Sequence, residues 1–115
     1  VGLLRTANGL TNARALIHDM RQEIGDHPGA SDHRFALSMQ DWFDMRNSLI
    51  SAEAIIAGAQ AREESRGAHQ RSDFPRTDSD QMHNLTTCLD GEDLSVMTSP
   101  LVSKPYVLMP LEAAE

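Results

Sequence analysis

The sequence predicts a mainly α chain: an antiparallel helical bundle of two to three helices, followed by a β-hairpin and an extended C-terminal tail. Apolar residues recur in steps of three and four over two long stretches, the spacing of a helix face. Aromatic residues are few, with one Trp, one Tyr and three Phe in 115 residues, so the core must rest on Leu, Ile, Met and Ala, which favours packed helices over a β-sandwich. Two short strand-like runs flank Asp90-Gly91-Glu92-Asp93 and account for the hairpin.

The first stripe is Leu10, Ala13, Ile17, Met20 and Ile24. Gly25 and then His27-Pro28-Gly29 end this helix, because Pro28 disfavours helical geometry at the residue before it and Gly29 suits a turn. After a polar loop through Ser31 and Asp32, a second stripe runs Trp42, Met45, Leu49, Ala52, Ile56 and Ala59, giving a helix expected over about 38–65. Phe43, Ile50, Ala54 and Ala57 widen its apolar face, which implies contacts on more than one side. The small residues Ala52, Ala54, Ala57, Gly58, Ala59 and Ala61 either let a neighbouring backbone approach or merely favour the helix. Gly67 is the expected stop, with Arg62 and Arg66 suited to the negative end of the helix dipole.

Past the second helix the character changes. Phe74-Pro75 forces an extended step and 77–80 is turn-rich. The hairpin strands are 85–89 and 94–98; an isolated hairpin is marginal in water, so it must lie on the helices or on a partner. Pro100, Pro105 and Pro110 keep the tail extended. The resulting division is 1–66 bundle, 67–83 Arg/His loop, 84–99 hairpin and 100–115 tail, all within one domain.

Composition excludes several functions. The net charge of −7, with Lys104 the one lysine and no basic stripe, argues against nucleic-acid binding. Cys88 is alone, so no intrachain disulfide or four-ligand zinc set can form, and a reducing compartment is expected. No apolar run approaches the ~20 residues that span a bilayer, and Val1 to Thr6 lacks a signal-peptide pattern. The start, apolar and without Met, reads like a domain cut from a longer polypeptide. His18, His27, His33, His69 and His83 share no ligand spacing, and Asp78-Ser79-Asp80 lacks the Gly and Glu of a calcium loop. GxSxG, P-loop and GxGxxG patterns are absent, and Cys88 on a strand reads as a small hydrophobe.

The candidate site is the charged run from Arg62 to Pro75, with Arg62, Glu64, Arg66, His69, Arg71 and Asp73 as its structural or interface residues. Arginine forks and an imidazole can clamp a carboxylate or phosphate, on a ligand or on a neighbouring domain. Alternatively the arginines pair with Glu63, Glu64 and Asp73 and cap helix carbonyls, a network complete in itself.

Arg62-x-Glu64-Ser65-Arg66-Gly67-Ala68-His69-x-Arg71-x-Asp73-Phe74-Pro75 closely resembles the R-x-E-S-R-G-A-H-x-R-x-D-F/Y-P signature of the succinate dehydrogenase/fumarate reductase flavoproteins, shared by L-aspartate oxidases. Val1 to Thr6 resembles that family's VGVFR helix end, 47–52 its N-L-L-x-x-A segment, and Lys104-Pro105-x-Val107-x-x-Pro110-Leu111 its KPV…PL ending. The chain departs at Gln81-Met82-His83-Asn84, where the family often has Trp and His-Thr. The resemblance implies the C-terminal helical domain, spectrin-repeat-like, of an FAD-dependent enzyme that moves a hydride between the flavin and a C4 dicarboxylate. It places the catalytic and FAD-binding residues upstream of Val1, so none is carried onto this chain, and no metal site is expected. It further implies packing on the FAD-binding domain of the same polypeptide, surface toward an iron–sulfur subunit, and a cytoplasmic location, peripheral on the inner face of a membrane. The tail favours succinate dehydrogenase or fumarate reductase over L-aspartate oxidase. A free-standing acidic helical adaptor is the reading from a different class. The isolated chain is expected to be inactive, to bind no FAD, and to expose apolar surface at Phe43, Ile50, Ala54, Tyr106 and Leu108 that drives self-association.

Overall fold

A computed structural model describes residues 2–28, 37–91 and 93–102. The expected loop at Ser31 and Asp32 and the tail from Lys104 onward, with Tyr106 and Leu108, lie outside the described residues. In chain order the elements are β1 (Leu4–Arg5), α1 (Ala7–Ile24), α2 (Leu37–Ala61), β2 (Gln70–Arg71), β3 (His83–Asp90) and β4 (Asp93–Pro100). A mainly helical unit thus leads into a strand pair, the architecture expected from the two periodic stripes.

Helix α1 starts three residues before its first apolar position because Thr6 is its N-cap: backbone extended, side chain accepting the Gly9 amide at 3.0 Å. The segment expected to end a helix is instead strand β1, which pairs in parallel with β2, Leu4 opposite Gln70 and Arg5 opposite Arg71. Gly25 closes α1 in a positive-φ conformation that an L side chain adopts only under strain (φ 65°, ψ −178°). Helix α2 ends at Ala61, four residues short of the expected Ser65, and Gly67, also at positive φ (57°), lies beyond it in a turn.

The helices run antiparallel. Leu10 near the start of α1 packs with Ile56 and Ala59 near the end of α2, flanked by Ala13 and Ile17, so the first stripe meets the second. At the other end the Trp42 indole N–H donates to the Ile24 carbonyl at 3.1 Å, an otherwise orphaned acceptor at the end of α1. Between them Arg21 reaches Glu53 across the helix pair at 2.6 Å. Strands β3 and β4 pair antiparallel from His83↔Pro100 to Asp90↔Asp93, and the ribbon lies on α2, with Thr87 facing Gly58. Gly91, at φ 61°, turns the chain between them.

Candidate functional site

The charged run forms the corner where the end of α2, the start of α1 and the entry to the hairpin meet. Its centre is Glu64, whose side chain is fully buried. Oε1 accepts from Arg62 Nη1 at 2.7 Å and Arg66 Nε at 2.8 Å; Oε2 accepts from Arg66 Nη2 at 3.0 Å and the Asp78 amide at 2.8 Å. These four donors outweigh the desolvation that would favour the neutral acid. The Arg66 fork is the largest influence, and the carboxyl is held down to about 2. Arg62 also donates to the carbonyls of Gln81 (2.9 Å) and His83 (2.8 Å), tying the cluster to the first residue of β3.

The second ion pair is Arg71–Asp73, a bidentate fork with Nε–Oδ1 at 2.7 Å and Nη2–Oδ2 at 2.8 Å. Arg71 is buried, with the guanidinium over the Phe74 ring at 4.8 Å, and its Nη1 donates to the carbonyls of Ala59 and Arg62. The cation therefore caps the C-terminal end of α2. Asp73 Oδ2 accepts the Ala7 amide at 2.7 Å, so the anion caps the N-terminal end of α1. Each charge sits on the helix end of opposite polarity, and one fork joins the two helices. The Arg71 hydrogen bonds, helped by the Ala7 amide, hold the Asp73 carboxyl well below the usual carboxylate range against burial.

His69 links the two pairs. Its Nε2 faces the Arg62 carbonyl at 3.2 Å and its Nδ1 faces Arg5 Nη1 at 2.7 Å. A guanidinium only donates, so Nδ1 accepts and the ring proton sits on Nε2. The imidazole is thus held neutral: burial lowers its pKa, and the nearby Arg5, Arg71 and Arg62 charges push the same way, against the Arg62 carbonyl. Ser65 completes the corner, with its hydroxyl 2.8 Å from the Phe74 carbonyl and accepting the Arg71 amide at 2.9 Å.

All six singled-out residues meet here, but not all as expected. Glu63 is exposed and forms no ion pair with an arginine among the described residues; its backbone amide donates to the Gln81 side chain. Arg5, absent from the candidate set, is the missed member. It lies 64 positions from His69, and no spacing rule reaches that far. Among the described residues no group of three His, Cys, Asp or Glu could hold a metal ion, and Cys88 is free and half-buried on β3. The Glu64 and Asp73 carboxylates and the His69 imidazole are all engaged in hydrogen bonds within the corner.

The profile of the family described as "Fumarate reductase flavoprotein C-term" matches residues 1–113. The chain is 37% identical over 86 residues to L-aspartate oxidase of Rhodospirillum rubrum, covering 75% of this chain and 25% of that protein. It is 35% identical over 79 residues to the fumarate reductase flavoprotein subunit of Mycobacterium tuberculosis, covering 67% of this chain and 13% of that protein. Its fold matches E. coli quinol fumarate reductase FrdA with a TM-score of 0.78 at 20% identity, over 90% of this chain and 19% of that one. It also matches Mycobacterium smegmatis Sdh1 with a TM-score of 0.71 at 25% identity, over 86% and 17%. The chain therefore spans between 13% and 25% of the length of these two curated relatives.

Proposed function

This chain belongs to the fumarate reductase flavoprotein C-terminal family, and we propose that it buttresses the FAD-bearing part of its own polypeptide without taking part in the chemistry. Domains of this kind occur in the flavoprotein subunits of succinate dehydrogenase and fumarate reductase and in L-aspartate oxidase. The observation that carries the reading is the match over residues 1–113. The parent's reaction, on this reading, exchanges a hydride between flavin and a C4 dicarboxylate, with the reacting groups upstream of this segment.

The residues present do not fit FAD itself. No Gly-rich turn joins a strand to a helix among the described residues, and the guanidinium groups of Arg62, Arg66 and Arg71, which could hold a pyrophosphate, are occupied by Glu64 and Asp73. The roles left to Arg62, Glu64, Arg66, His69, Arg71 and Asp73 are structural: they lock α2 to α1 and to the hairpin. Exposed apolar residues, Phe43 and Ile55 among them, supply the surface for the FAD-binding domain and for an iron–sulfur subunit. No described helix is long and apolar enough to cross a membrane, which agrees with attachment through such a complex at the cytoplasmic face.

Calorimetry with FAD tests the first part: the isolated chain gives no binding heat, and micromolar affinity would overturn the reading. Flavin absorbance is expected of the full-length protein, and its absence would favour an acidic adaptor. The L-aspartate oxidase reading is favoured by the identity of 37% to the Rhodospirillum rubrum enzyme. Assay of the full-length protein with succinate and with L-aspartate, and purification with or without an iron–sulfur subunit, decides between the two.

A further inference from the structure

The arginines of the corner are not equivalent. Arg62 and Arg66 share Glu64 and Arg71 has Asp73, whereas Arg5 meets only the neutral Nδ1 of His69. Its charge has no carboxylate among the described residues. Its Nε is buried without a hydrogen-bond partner, and its Nη2 makes no hydrogen bond to any described residue. Since Nη1 is taken by His69 and Nε is enclosed by the chain itself, Nη2 is the donor left for a carboxylate that enters from outside. Arg5 lines an open groove of about 320 Å3 together with Ile55, Gly58, His69 and Leu85. From Ile55, itself 62% exposed, a second groove continues along α2 past Ala52, Ser51, Ser48 and Asn47 to Asp44. An open groove thus reaches a cation without a counter-ion among the described residues.

We propose that the Arg5 groove is an anchor point for an aspartate or glutamate side chain from the flavin-bearing part of the same polypeptide, with Ile55 and Leu85 covered by the segment that carries it. This rests on the docking role proposed above and adds its polar contact. Apolar area alone would let the two surfaces slide; one buried ion pair fixes the register. The neutral His69 tautomer suits that task, because it orients the guanidinium without neutralising it. The chain's own net charge of −7 disfavours a second copy as the occupant.

Carbodiimide coupling of the full-length flavoprotein carrying Arg5→Lys tests this directly, since it joins an amine to a carboxylate in salt-bridge contact. An amide between position 5 and an acid of the flavin-bearing part is expected. A link only to acids of this segment, or no link, overturns the proposal. Should that variant not fold, arginine modification by phenylglyoxal on the unaltered proteins serves instead: Arg5 is expected to react about tenfold more slowly in the full-length protein than in the isolated chain. Equal rates overturn the proposal. Hydrogen exchange along α2 distinguishes the two failures: protection of α2 with a reactive Arg5 removes the anchor and keeps the docking, whereas no protection removes both.

Discussion

At the scale of single residues the corner is a set of charges sheltered from water, and its pH response follows from their shifts. The Glu64 carboxyl is lowered from its ordinary value of 4.5 to about 2, so between these limits the unfolded chain binds the extra proton and the folded one does not. Its contribution is complete above about 4.5 and lost as pH falls through about 2. Thermal melts across that window will show a falling midpoint, with a shallower fall in Glu64→Gln. His69 adds a second acid-side slope: its pKa is lowered from 6.5, so stability declines as pH drops below that value, and His69→Gln removes this component. Arg71→Ala should destabilise by about 3 kcal/mol in denaturant titration, because it strands Asp73 and uncaps the last carbonyls of α2. A loss below about 1 kcal/mol would mean that the fork is matched by water in its absence.

Individual elements end where their backbone groups find other partners. Helix α2 stops at Ala61 because the Arg71 guanidinium takes the carbonyls of Ala59 and Arg62, satisfying acceptors that another helical turn would have used. The glycines rank accordingly. Adding a Cβ meets nothing within 4 Å at Gly25 or Gly67, so only backbone strain decides. Gly67 lies near left-handed helical geometry and Gly67→Ala costs about 1 kcal/mol; Gly25, with ψ −178°, lies where only glycine is at ease, and Gly25→Ala costs about 2 kcal/mol. Gly58 is the opposite case. It lies inside α2, its added Cβ would meet only the Thr87 methyl at 3.9 Å, and Gly58→Ala should stabilise by about 0.5–1 kcal/mol in the same titration.

For the whole molecule the deciding quantity is apolar surface without a cover. Phe43 is 47% exposed, while Ile50 and Ala54, expected to share that exposure, are half-buried. Leu4 and Ile55 are more exposed than any of these. Two helices and a ribbon cannot enclose both sides of α2, so the isolated chain should self-associate weakly, and more so as salt screens its net charge of −7. Sedimentation at several concentrations checks this; Ile55→Glu is expected to shift the chain toward monomer. A monomer at all concentrations, with or without salt, would show the surface to be innocuous.

The periodic structure and the motif were legible in the order of amino acids alone. Steps of three and four set which faces of α1 and α2 meet at Leu10, Ile56 and Ala59, Asp90-Gly91 marked the turn between β3 and β4, and the run from Arg62 to Pro75 carried the family. These are local signals: a helix face, a turn and a short motif are each readable within a few residues. Partnership across distance emerged only with the folded arrangement. That Leu4–Arg5 forms a strand and not a helix end depends on its pairing with 70–71. That Asp73 caps α1, and that Arg5 donates to Nδ1 of His69, depends on contacts more than sixty positions apart. Hydrogen bonds and ion pairs act over about 3 Å in space with no regard to sequence separation, so the fold had to bring these groups together before their roles could be read.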